Sequence, residues 1–196
     1  MAVIQDLFKV PILRTVLNLN LNNIKLFCDR LKENQQGRQK SNKGGWQSFD
    51  FTNSVDGIKD LKEAIILKSK ELAKSYNFKE SINYKIGSIW VNYNYKNNYN
   101  MKHIHPDCIF SGVFYVECDE SNPAKISFFH PAYDLLGYDW HDHLLNEYVE
   151  QNSPIWYFDP EPQQLILFPS WLHHQVEYNP SDKVRISISF NIIQEK

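Results

Sequence analysis

The stretch Tyr84–Asn94, YKIGSIWVNYN, decides the fold, because there the spacing of the bulky residues changes from helical to extended. Ile86, Ser88, Trp90, Asn92 and Asn94 alternate with Lys85, Gly87, Ile89, Val91 and Tyr93, so that each set occupies one face of a strand. Large side chains fall on both faces, which predicts a buried strand. Downstream, Phe110–Val116, Ala124–Phe129, Ile155–Phe158, Gln164–Phe168, His174–Tyr178 and Arg185–Ile193 read as further short strands, separated by Pro, Gly, Asn and Asp clusters. Upstream the period is helical. From Gly57 to Tyr76, the residues Ile58, Leu61, Ala64, Ile65, Leu67, Lys68 and Leu72 recur at helix spacing. Near Asn22–Leu31, the residues Ile24, Phe27, Cys28 and Leu31 share a second helical face. Leu7–Val10 is a short apolar stretch, and Ser41–Ser48, with Gly44, Gly45 and Trp46, reads as a loop. The pattern predicts a mainly β (α+β) chain forming a single domain over residues 1–196. Residues 1–83 are its helical support and residues 84–196 a sandwich or jelly-roll core. Pro131–Ser153 reads as an insertion over a site.

Composition narrows the function without naming it. The 196 residues are 42% hydrophobic and 14% aromatic, and 21 Lys+Arg stand against 23 Asp+Glu, a net charge of −2. No basic run offers a footprint for nucleic acid or an anionic membrane. Apolar runs such as Leu165–Phe168 are far shorter than the roughly 18 residues of a membrane span, and no N-terminal signal core is evident, so the expectation is a soluble cytoplasmic protein. Cys28, Cys108 and Cys118 are odd in number and lack C-x-x-C spacing, which argues against a disulfide framework or a cysteine zinc site.

The histidines carry the chemistry. All seven, at 103, 105, 130, 141, 143, 173 and 174, lie in the β-rich half. On an extended strand His103 and His105 share one face and could share a metal ion, with His173 or His174 as a third donor from a distant strand. The bland reading of such a pair is hydrogen-bonded structure. His105 with Asp107 is a competing pair. Arg185 and Ser187 share a face of the terminal strand, and a guanidinium buried there needs an anion: a carboxylate ligand or a structural Asp or Glu. His141 and His143 repeat the i, i+2 spacing, but inside the 131–153 segment, where they read as loop residues.

At this point the sequence resembles a known family. His-x-His, a long gap, then His174-x10-Arg185-x-Ser187 is similar to the iron(II)- and 2-oxoglutarate-dependent oxygenases, whose fold is a double-stranded β-helix. Trp90-x-Asn92, His103-x-His105-Pro106, Ser111-Gly112-Val113-Phe114-Tyr115-Val116, Phe168-Pro169-Ser170-Trp171-Leu172-x-His174 and Arg185-x-Ser187-x-Ser189-Phe190-Asn191 resemble, more specifically, a family of such oxygenases from bacteria and phages within the prolyl-hydroxylase-like superfamily. The Ser41–Ser48 segment resembles that family's N-terminal motif.

The resemblance implies a cupin-like jelly roll with the N-terminal helices packed outside. It implies Fe(II) held by His103, His105 and His174, and 2-oxoglutarate held by Arg185 and Ser187, with Tyr115 and Asn92 as further contacts and O2 as co-substrate. The superfamily usually has Asp or Glu where His105 stands, so the ligand set becomes three histidines. The register of His105 with Asp107 would restore a carboxylate and stays open. The implied activity is a dioxygenase that hydroxylates a C–H bond of a peptidyl residue, amino acid or small metabolite, releasing succinate and CO2. The implied location is the cytoplasm, or the host cytoplasm if a phage encodes the chain. A homodimer through an exposed edge strand is compatible with the pattern. A non-redox cupin-like metal- or ligand-binding module is the alternative, and a β-sandwich interaction protein with an inactive site is the third reading.

Overall fold

The computed structural model describes residues 2–53, 57–140 and 142–195. Strand β1 (Leu13–Val16) is followed by helix α1 (Leu21–Asn34), strands β2 (Asn42–Lys43) and β3 (Trp46–Gln47), and helix α2 (Lys59–Ser75). Then come β4 (Tyr84–Asn94), β5 (Tyr99–His103), β6 (Phe110–Glu117), β7 (Ile126–Phe129), α3 (Tyr133–Asp139), β8 (Ile155–Phe158), β9 (Gln164–Pro169), β10 (His174–Val176) and β11 (Arg185–Gln194). Two antiparallel sheets result, a six-stranded one in the order β1-β9-β6-β11-β4-β3 and a five-stranded one in the order β2-β5-β10-β7-β8.

Period-2 patterning explains what lies on each face of the larger sheet. On β11, Ile186, Ile188, Phe190 and Ile192 join Ile89, Val91 and Tyr93 of β4 in a core that also takes in Ile24 and Cys28 of α1 and Leu61, Ile65 and Leu72 of α2. The helices therefore pack outside the sheet, as expected. Arg185, Ser187 and Ser189 occupy the opposite face, where a smaller apolar cluster of Val113, Tyr115, Ile126, Phe128, Ile166, Phe168 and Leu172 fills the space between the sheets. Local signals fix the helix ends. The Asn20 side chain accepts from the Asn23 N–H at 3.1 Å to open α1, and Asn77, at φ 54, turns the chain out of α2.

Two expectations are corrected here. Residues 1–83 are more than helical support, because β1 pairs with β9, β2 with β5 and β3 with β4. The Ser41–Ser48 segment is not a free loop: Gly44, at φ +83, turns the chain between β2 in one sheet and β3 in the other. Leu7 and Phe8 do not join the core, being 72% and 94% exposed.

Candidate active site

The cavity between the sheets is built row by row. Across the larger sheet, Ser187 of β11 pairs with Asn92 of β4 on one side and Tyr115 of β6 on the other, and Arg185 pairs with Asn94 one row away. Facing them from the smaller sheet, His174 of β10 pairs with His103 of β5. On the next paired row Val176 meets Asn100, so β5 spends three residues where β10 spends two. Such a bulge reverses the alternation and turns both Asn100 and His103 into the cavity. His105 lies beyond the end of β5 and reaches the same place from a turn.

The three imidazoles converge. Ring centroids are 4.9 Å apart for His103 and His105, 4.3 Å for His103 and His174, and 5.2 Å for His105 and His174, and one nitrogen from each lies within 4.8 Å of the others. Nδ1 of His103 donates to the Met101 carbonyl at 2.6 Å and Nδ1 of His174 to the Leu172 carbonyl at 2.9 Å, which leaves each Nε2 as the lone-pair nitrogen. Burial holds all three below the ordinary imidazole range; His105 is pushed down to about 4 by burial and by neighbouring His103. The imidazoles are thus neutral at pH 7, as a metal ligand must be. Asp107 does not join them: it is exposed, in a left-handed turn at φ 63.

At the other end of the cavity, Arg185 is 3% exposed. Nη1 donates to the Ala124 carbonyl at 3.3 Å, Nε has no partner, and no Asp or Glu bridges the guanidinium among the described residues. The Tyr115 hydroxyl and Asn92 Oδ1 are likewise buried without partners, while Asn92 Nδ2 donates to Ser189 Oγ at 3.0 Å. Burial raises the Tyr115 phenol well above its usual range, so it stays a proton donor. The space between these groups and the histidines opens to solvent, and among the described residues no acid lines it. Neutral metal-type ligands at one end and unmatched donors at the other fit a metal ion with a chelating anion.

The structure thus brings His103, His105, His174, Arg185, Ser187, Tyr115 and Asn92 to one cavity. Trp90, Ser189, Asn100 and Ser41 line it as well. The positions of Trp90 and Ser189 were legible from their period-2 relation to Asn92 and Ser187, whereas the bulge hides Asn100. No described residue of 131–153 lines the cavity, and His141 lies outside the described residues. Trp171 is 51% exposed, because Leu172 takes the buried place in that turn.

A family model described as "Putative 2OG-Fe(II) oxygenase" matches residues 88–191. The fold is similar to that of a Pseudomonas putida prolyl-4-hydroxylase, with TM-score 0.66 and 10% identity over 97% of this chain and 96% of that one. It is also similar to the viral collagen prolyl hydroxylase of Paramecium Bursaria Chlorella virus-1, at TM-score 0.60 and 12% identity over 92% and 94%. The non-heme alpha-ketoglutarate-dependent carbocyclase SnoK of nogalamycin biosynthesis aligns at TM-score 0.68 and 10% identity over 95% and 80%. At such identities the likeness is one of fold, the double-stranded β-helix. No protein of curated function matches the chain.

Proposed function

The chain belongs to the 2OG-Fe(II) oxygenase family, and from that premise we propose that it is a dioxygenase hydroxylating a C–H bond of a peptidyl residue, an amino acid or a small metabolite, with release of succinate and CO2. One observation carries the reading: a buried guanidinium with no acid partner among the described residues, Arg185, shares its cavity with three converging imidazoles. An unpaired buried charge costs several kcal/mol, on the order of 3–5 by mutational experience, and a bound carboxylate removes that cost. In this reading His103, His105 and His174 hold Fe(II). Arg185, Ser187 and Tyr115 hold the far carboxylate of 2-oxoglutarate, and Asn92 lies beside them.

When bound, the iron with 2-oxoglutarate and O2 supplies the oxidising chemistry, and the chain supplies binding, orientation and exclusion of water. The neutral imidazoles bind without first losing protons. Phe168, Val113 and Ile126 shield the middle of the cavity, and Trp90, with its ring 5.7 Å from that of His105, forms a wall on the substrate side. We take residues 1–196 as one catalytic domain acting on a peptide or small molecule. Among the described residues no helix is long and apolar enough to cross a membrane.

Anaerobic titration with Fe(II) and then 2-oxoglutarate tests the proposal through the visible metal-to-ligand charge-transfer band. Wild type and Asp107→Ala are expected to show the band, and His103→Ala and Arg185→Ala to lose it. Metal binding without a band in wild type would favour the non-redox cupin-like module. Loss in Asp107→Ala with retention in His103→Ala would move the ligand pair to His105 and Asp107.

A further inference from the structure

We propose that Ser170 is a positioning residue for the histidine cluster, locking the turn that carries His105 onto the turn that leads to His174. The inference rests on the reading that the three imidazoles hold a metal. His105 lies outside β5, so no strand ladder fixes it. Pro106 has no N–H to give, Asp107 is left-handed at φ 63, and pairing resumes only at Phe110. The segment must find its hydrogen bonds elsewhere, and Ser170, 2% exposed, provides three. The His105 N–H donates to the Ser170 carbonyl at 2.9 Å, the Ser170 N–H donates to the Ile109 carbonyl at 3.2 Å, and the Ser170 hydroxyl donates to the Cys108 carbonyl.

The same turn holds the other ligand. The Leu172 N–H donates to the Pro169 carbonyl at 2.9 Å, and the Leu172 carbonyl accepts Nδ1 of His174 at 2.9 Å. Two ligands 69 positions apart in the chain are thereby joined through a few short bonds that centre on Ser170. Of its three bonds only the hydroxyl's depends on the side chain. Without it the Cys108 carbonyl loses its serine donor, and the Pro106–Cys108 turn that places His105 is held to Ser170 only by the two backbone bonds on either side of it.

Co(II) titration followed by visible absorption tests this, since band intensity reports coordination geometry. Ser170→Ala is expected to weaken Co(II) binding about 10- to 100-fold, the usual effect of losing a group that orients metal ligands, and to change the band intensities. Ser69→Ala is the control: that buried hydroxyl also donates to a backbone carbonyl, of Ile65 at 2.7 Å, but within α2, and its loss should leave affinity and bands unchanged. Ser170→Ala with wild-type affinity and bands would overturn the proposal. Should that variant not fold, amide exchange in wild type decides: the His105 N–H must be protected in metal-free protein, and rapid exchange overturns the idea. Failure of wild type itself to bind Co(II) would instead overturn the metal-site reading.

Discussion

At the scale of single residues Arg185 stands out, because among the described residues no acid matches its charge. Arg185→Met removes a buried charge and keeps an apolar stem of similar length. The ligand-free variant is therefore expected to melt no lower than wild type, while 2-oxoglutarate affinity falls by about 100-fold or more, as when one partner of a buried charged pair is lost. A sharp drop in the ligand-free melting temperature would mean that the guanidinium already has a stabilising role in the empty protein. The histidines give a pH prediction. Since burial lowers all three in the folded state, the unfolded chain binds protons that the folded chain refuses. Stability is present above the ordinary value of 6.5 and is lost as pH falls toward the folded value, about 4 for His105, which alone is worth on the order of 3 kcal/mol. Thermal unfolding of metal-free protein should decline from pH 7 to pH 4.5, and His105→Gln should flatten that decline; parallel curves would refute it. These residues were legible in the sequence as types and spacings. Spacing leaves both His103 and Asp107 open as partners of His105, because strand alternation does not reveal the left-handed turn after Pro106 that leaves Asp107 exposed.

Among the elements, β6 carries a tight packing requirement at Gly112. A Cβ on Gly112 would stand 2.5 Å from Phe190 Cζ and 2.6 Å from the Ile166 carbonyl oxygen, and the latter belongs to the paired strand β9. Gly112→Ala is therefore expected to cost about 1–3 kcal/mol in urea unfolding, and to disturb the cavity that Gly112 lines. An unchanged midpoint would mean that β6 and β9 separate at little cost. The elements read most easily were those with long, regular periods. α2 was expected over Gly57–Tyr76 and spans Lys59–Ser75, and β4 follows the alternation of Tyr84–Asn94. β2 and β3 are two residues each and exist because β5 and β4 lie beside them, so no local pattern announces them. β5 is hidden in the sequence for a related reason: its bulge between Asn100 and His103 breaks the alternation by which a strand is recognised.

Taken as a whole, the molecule separates two interiors of different character. The larger core, between the helices and the outer face of the six-stranded sheet, is apolar, and its burial holds that sheet against α1 and α2. The inner space is polar at its ends, and no carboxylate lines it among the described residues. Three neutral imidazoles leave a divalent ion its full charge, and Arg185 adds another positive charge at the far end of the same cavity. Either cation alone raises the cost of the other, whereas a dianion spanning both relieves the two together. Metal and 2-oxoglutarate should for that reason stabilise the fold cooperatively. With Mn(II) alone or 2-oxoglutarate alone the rise in melting temperature is expected to be small, and with both it should exceed the sum of the two. With the proposed ligand set, His105→Asp places one negative charge on the metal and should shrink that excess, since the ion then depends less on the dianion. Simple additivity in wild type, or an undiminished excess in His105→Asp, would show that the charge of the cavity does not couple the two ligands.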